Sequence, residues 1–258
     1  NTAVGYNAGT LVTTGVRNTI MGGLAGDALT DADRNVAMGH GALSTDTLGS
    51  KSVALGYQAL STQNFTTATD SFNTAVGYQA GVGLTTGTRN TLIGSLAGDA
   101  MTVAPNNTAV GYDALGANTT GGGNVGLGYQ ALTTMNVTNT SDTFNTGVGF
   151  RAGYLVTTGI DNVLIGAKAG DALTDADNNV AMGRSALGAD TLGSNSTALG
   201  YGTLSNQNFT TATDSYNVAV GAFAGNDITT GIQNTLIGGL AGDALQAAAD
   251  NVAVGFEA

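Results

Sequence analysis

The sequence predicts an all-β protein, a β-solenoid folded as a parallel β-roll. Three observations predict it: a nine-residue core that returns 15 times, a glycine at the fifth place of every copy, and a start-to-start spacing that is always 17 or 21. The copies begin at 1, 18, 35, 52, 73, 90, 107, 124, 145, 162, 179, 196, 217, 234 and 251. The spacings 17, 17, 17 and 21 recur as a set, so a second, longer period divides the chain into cassettes 1–72, 73–144, 145–216 and the partial 217–258. Cassettes 1–72 and 145–216 agree at 50 of 72 positions. Units this short, each meeting only its neighbours, make solenoid coils; they are too short for propeller blades or helical repeats.

The core is expected to read strand, turn, strand. Its first place is Asn in 13 copies and Ser at Ser52 and Ser196. The second is Thr or Val, the fourth Val, Met, Ile or Leu, and the fifth Gly. β-branched residues suit a pleated strand, and glycine suits the bend that closes it. A glycine in every coil costs a helix about 1 kcal/mol each, so helix is the weaker reading. The eighth place is Ala except at Thr203, and the ninth runs Gly, Gly, Leu, Leu through each cassette, as in Gly9, Gly26, Leu43 and Leu60.

Alternation places the second and fourth residues on one face of the strand and the third on the other. The third is Ala or Gly in eleven copies, and Ile20, Leu92, Leu164 or Leu236 in four. Both faces are therefore apolar, as in a strand buried on both sides. One face fills the coil and the other needs a partner. The expectation is a homo-oligomer in which the Ala-rich side lies against a sister subunit, with cover from the same coil as the alternative. Coils about 4.8 Å apart would stack into a rod of about 70 Å, with the first-place Asn residues forming a structural ladder along it. The four-residue insertions in the fourth connections, at 63–72 and 207–216 with a diverged copy at 135–144, are expected to protrude every ~19 Å.

Composition removes several function classes. The net charge of −11 opposes a nucleic-acid partner. With no Cys and one His, thiolate catalysis, disulfides and multi-His metal sites have no residues to use. No apolar run approaches the ~20 residues of a membrane span, and no N-terminal signal pattern is present. No nucleophile–base pair can be named, so no catalytic residue and no cofactor is expected. His40 is replaced by Tyr112 and Arg184 at its equivalents. The dinucleotide-like strings at 126–131 and 147–152 lack a following helix.

The carboxylates Asp31, Asp33, Asp175 and Asp177 are weak calcium candidates. Their middle-cassette equivalents are Val103 and Pro105, so solvated loop acids are the preferred reading. Asn64, Phe65, Asn136, Asn208 and Phe209 on the inserted loops are candidate ligand or glycan contacts. Sequons at Asn64, Asn106, Asn118, Asn136, Asn139, Asn195 and Asn208 leave glycosylation as an alternative to bare loops. Sixth-place aromatics, among them Tyr6, Tyr57, Tyr78, Tyr112, Tyr129, Phe150, Tyr201 and Phe256, are expected to cover corner glycines, with a glycan-stacking surface as the alternative.

The core Asn1-Thr-Ala-Val-Gly5-Tyr-Asn-Ala8 resembles the head repeats of trimeric autotransporter adhesins of the YadA type, and is similar to repeats in phage tail and surface fibres. The resemblance covers all 15 copies, although the coils here are longer than is usual in those heads. It implies a left-handed roll, three chains about an axis, and an extracellular, cell-surface or virion location. The expected function is a structural and adhesive fibre segment, flanked by other domains or polymerised end to end, that presents its loops to a surface glycan or receptor. The alternative is a dedicated glycan-binding module or, less favoured, an ice-binding one; the second place mixes Thr with Val and is expected to be buried.

Overall fold

The computed structural model describes residues 1–139 and 141–258. It is an all-β solenoid of about fifteen turns, with no helix among the described residues. Two compact units divide it: Asn1–Gly126 with Asn136–Asp142, and Leu127–Met135 with Thr143–Ala258.

In each unit the second to fourth places of every core form a three-residue strand, paired in parallel and in register with the next. In the first unit Thr2–Val4 pairs with Thr19–Met21, which pairs with Val36–Met38. In the second unit Thr146–Val148 pairs with Val163–Ile165, and the series continues to Val252–Val254. Beyond the strand the chain does not form the expected second strand. Places seven and nine take left-handed backbone, as at Asn7 (φ 54°) and Leu43 (φ 52°), and the segment folds as a turn. The fifth-place glycine is a matter of space as well as torsion. At Gly56 φ is 139°, and an added Cβ would stand 2.1 Å from the Gly77 carbonyl oxygen one coil on.

The Ala-rich side does not face a sister subunit. The third-place residue is buried in every copy except the two terminal ones, Ala3 and Ala253, and it is buried by its own coil. Residue size explains why. Where the third place carries Leu92, the ninth is Gly98, and a Cβ there would sit 2.9 Å from Leu92 Cδ2. A Cβ on Gly81, one coil earlier, would sit 2.6 Å from Leu92 Cδ1. Where the third place shrinks to Ala37 or Ala54, Leu43 or Leu60 fills the ninth. The Gly, Gly, Leu, Leu rhythm is thus a packing rhythm of one narrow interior, and it sets the four-coil cassette.

The opposite assignment follows for the outer face. The second and fourth places point outward and are half-buried or exposed, so the side without cover is the aliphatic fourth-place column rather than the Ala row. The second place is likewise outward, contrary to the expectation that it is buried.

The first-place Asn ladder forms as a relay. Asn18 N–H donates to Asn1 Oδ1 (2.8 Å), and Asn35 N–H to Asn18 Oδ1 (2.8 Å). Each amide nitrogen then reaches across its own coil, as from Asn18 Nδ2 to Ala32 O (2.7 Å) and from Asn35 Nδ2 to Gly49 O (2.9 Å). One side chain thereby satisfies backbone groups on two sides of a narrow coil, which is why so polar a residue is buried in nearly every turn.

Candidate functional site

Three outward surfaces and one buried polar cluster carry the chemistry of this chain. The first surface is the strand face. In the first unit its fourth place exposes Val4, Met21 and Ile93, the last at 39%, and in the second unit Leu127, Met182 and Ile237. Beside it runs the second-place column of Thr and Val. The aliphatic neighbour means no rung has the Thr-x-Thr pattern of an ice-binding array.

The second surface is the sixth-place corner. In the first unit His40, Tyr57 and Tyr78 stack with ring centroids 5.8 and 5.4 Å apart. In the second unit Tyr129 stacks on Phe150 at 5.4 Å, and Tyr201 meets the seventh-place Phe223 edge-on at 4.9 Å. Where the sixth place is glycine, the ring of the next coil lies over it: a Cβ on Gly23 would meet His40 Cδ2 at 3.4 Å. They remain open to solvent, Tyr78 at 51%.

The third surface is the corner just before the ladder Asn. Every rung there has left-handed backbone, and in the first unit it carries Arg17, Arg34, Lys51, Phe72 and Arg89. Lys51 Nζ pairs with Asp70 Oδ2 (2.5 Å) and lies 5.0 Å from the centre of the Phe72 ring.

The inserted loops bury more than they present. Gly49–Ser50 pairs with Thr69–Asp70 in a two-stranded sheet, and Gly193–Ser194 with Thr213–Asp214. Phe65 (6% exposed) and Phe209 (5%) turn inward and close the coil, so they do not stack on a ligand as expected. Asn208 and Asn136 are exposed and Asn64 is half-buried, each accepting a hydrogen bond from a threonine one coil earlier: Thr191 (3.1 Å), Thr119 (2.6 Å) and Thr47 (3.2 Å). Thr66, Thr67 and Ala68 form the exposed tip. Thr140 of the middle loop lies outside the described residues. The sequon at Asn118 is not a glycan acceptor, since the residue is buried and its Nδ2 donates to Gly121 O (2.8 Å).

Beneath these loops lies a polar cluster that sequence reasoning missed. Asp46 is fully buried; its Oδ1 accepts from Gly49 N (3.0 Å) and Phe65 N (3.0 Å), and its Oδ2 from Gln63 Nε2 (2.6 Å). Gln63 Nε2 also donates to Ser52 Oγ (2.9 Å), and Gln63 Oε1 accepts from Asn73 Nδ2 (2.8 Å). Asp190, Gln207, Ser196 and Asn217 repeat the arrangement. In the middle cassette Asn118 and Met135 stand in for the Asp–Gln pair. Burial pushes the Asp46 carboxyl above its ordinary value, although four hydrogen bonds pull the other way. The cluster is sealed and structural.

The acidic pairs are engaged coil to coil. Asp31 Oδ1 accepts from Thr14 Oγ1 (2.5 Å) and Asp33 Oδ1 from Val16 N (2.8 Å). Asp175 Oδ1 accepts from Thr158 Oγ1 (2.6 Å) and Asp177 Oδ1 from Ile160 N (2.8 Å). Among the described residues no three His, Cys, Asp or Glu side chains converge as a metal site would need. No described helix is long and apolar enough to cross a membrane.

No protein-family model matches the chain, and no curated protein matches it in sequence.

Proposed function

We propose that the chain is a structural and adhesive segment of an extracellular fibre, on a cell surface or a virion, assembled as a homo-oligomer with three copies favoured. The observation that carries the reading is the outward fourth-place column. A soluble monomer rarely exposes an apolar strip, and a strip along a parallel sheet within one unit is suited to a second copy of itself. The Ala row, which first suggested the oligomer, is occupied with the chain's own core; the demand for a partner passes to the Val, Met, Ile and Leu column. Fibre segments need little else: a repeating coil, a covered face and loops that repeat at a fixed interval for attachment. End-to-end continuation by flanking domains or further copies belongs to the same reading.

Light scattering on the purified chain tests it. The expected mass is three times the 25.4 kDa of one chain. A mass of one chain refutes the assembly.

The exposed ring stacks favour a second reading, a dedicated glycan-binding module, because an aromatic surface open to solvent suits the apolar face of a sugar. A glycan array in which Tyr57→Ala abolishes a positive signal would support it, and a blank array would remove it.

A further inference from the structure

The corner before the ladder Asn holds all four cations of the first unit, Arg17, Arg34, Lys51 and Arg89, in one column. Consecutive rungs are locked together by backbone bonds, from Arg34 N to Val16 O (3.0 Å) and from Lys51 N to Asp33 O (2.9 Å). Three basic side chains therefore leave successive coils, whose backbones lie about 4.8 Å apart, followed by Phe72 and then Arg89. Arg17, Arg34 and Arg89 are exposed, and the one ion pair among the described residues is Lys51–Asp70. The acids nearest Arg34 in sequence, Asp31 and Asp33, accept hydrogen bonds from Thr14 and Val16 of the coil before.

The fold does not ask for these cations. Their backbone is left-handed, with φ of 62°, 57°, 63° and 59°, a region where Asn, Asp and Gly are the economical residues. The same place uses those residues at Asn106 and Gly123 in the first unit and at Asp161, Asn178, Asn195 and Asp250 in the second, with Phe72, Phe144, Tyr216 and Gln233 elsewhere. Between cassettes 1–72 and 145–216, which agree at 50 of 72 positions, all three basic rungs change: Arg17 to Asp161, Arg34 to Asn178 and Lys51 to Asn195. The charge of this column varies while the coil around it stays fixed.

We propose that the column from Arg17 to Arg89 binds a linear acidic polysaccharide with a carboxylate on every sugar. Such a chain advances along its length by a step close to one coil, so the carboxylates on its near side keep register with the rungs. Phe72, 49% exposed and set between Lys51 and Arg89, offers its ring to the apolar face of the sugar bridging them. Duplex DNA, with a charge about every 1.7 Å of axis, does not match this spacing. The inference names an attachment target for the adhesive reading above but does not need the assembly.

The test titrates polygalacturonate into the full chain by calorimetry at low and at physiological salt, with light scattering on the same samples. Its controls are the fully methyl-esterified polymer and single-stranded poly(dT). The variant is Arg17→Asn/Arg34→Asn/Lys51→Asn, which the same backbone accepts at Asn178 and Asn195. The expected result is salt-sensitive binding of polygalacturonate, none of the esterified polymer, and a loss of about tenfold or more in the variant. Phe72→Ala weakens binding without altering its salt dependence. The proposal is overturned by no binding at low salt, by binding the triple variant retains, or by poly(dT) binding as tightly. A single-chain mass with polygalacturonate still bound would overturn the assembly alone.

Discussion

Asp46 and Gln63 are buried partners, and exchanging them for the middle cassette's Asn118 and Met135 one at a time should cost more than exchanging both. In Asp46→Asn the new amide nitrogen faces Gln63 Nε2, which now donates to Asp46 Oδ2 at 2.6 Å. Turning the Gln63 amide over relieves that clash but sets Nε2 against Asn73 Nδ2, which donates to Gln63 Oε1 at 2.8 Å. Either way one buried donor loses its acceptor, at about 1–3 kcal/mol. Gln63→Met alone strips the carboxylate of its side-chain donor, at a similar cost. The double variant reproduces a solution the chain already holds: Asn118 bonds Gly121 through both amide atoms (2.8 and 3.0 Å), and Met135 Sδ accepts from Asn145 Nδ2 (3.5 Å). The pair should therefore be non-additive, the double variant recovering about 1–2 kcal/mol of the summed single costs. Urea unfolding of the four proteins gives the cycle, and hydrogen exchange at the Gly49 and Phe65 amides localises it. Additive costs, or unchanged exchange at both amides in Asp46→Asn, would refute the reasoning.

Three further outcomes follow from the packing and the buried carboxyls. Leu92→Ala empties an interior site walled by Gly81 and Gly98 and should destabilise by about 2–5 kcal/mol in urea unfolding. Gly56→Ala drives a methyl to 2.1 Å from a backbone oxygen and should leave no folded chain by circular dichroism at ambient temperature, whereas Gly41→Ala, with only the Gln58 side chain near (3.5 Å), should fold. Burial raises the carboxyls of Asp46, Asp99, Asp171 and Asp177 above 3.8. A raised folded value means the native state binds more protons than the unfolded one, so these groups contribute stability that is lost as pH rises from 3.8 through their folded values. The thermal midpoint should fall over that window, less steeply in the Asp46→Asn/Gln63→Met variant; a midpoint that rises with pH contradicts it.

The strands, the invariant corner glycine, the Asn ladder and the cassette were legible because each is a period in the chain, and stacking turns a period into a column. Which strand face points inward was not, because alternation separates the third place from the second and fourth without saying which pair of surfaces meets water. Size carried that information: Leu92 recurs with Gly98 and Ala37 with Leu43, a compensation that only residues sharing one interior require. The polar loop around Phe65 points to a surface ring, but the two-residue pairing of Gly49–Ser50 with Thr69–Asp70 accompanies its burial over the coil. The Asp46–Gln63 cluster left a signal in the joint change to Asn118 and Met135. The basic column left one in Arg17, Arg34 and Lys51, which stand just before the ladder residue of three successive copies.

The outward aliphatic column as a covered subunit surface can be probed directly, since the chain has no cysteine of its own. Ile93→Cys on that column and Thr67→Cys at the loop tip are labelled separately with a thiol reagent under native conditions. Slow labelling at position 93 that becomes fast on dilution, with fast labelling at 67 throughout, is the predicted result. Equal rates at the two positions at every concentration would contradict it.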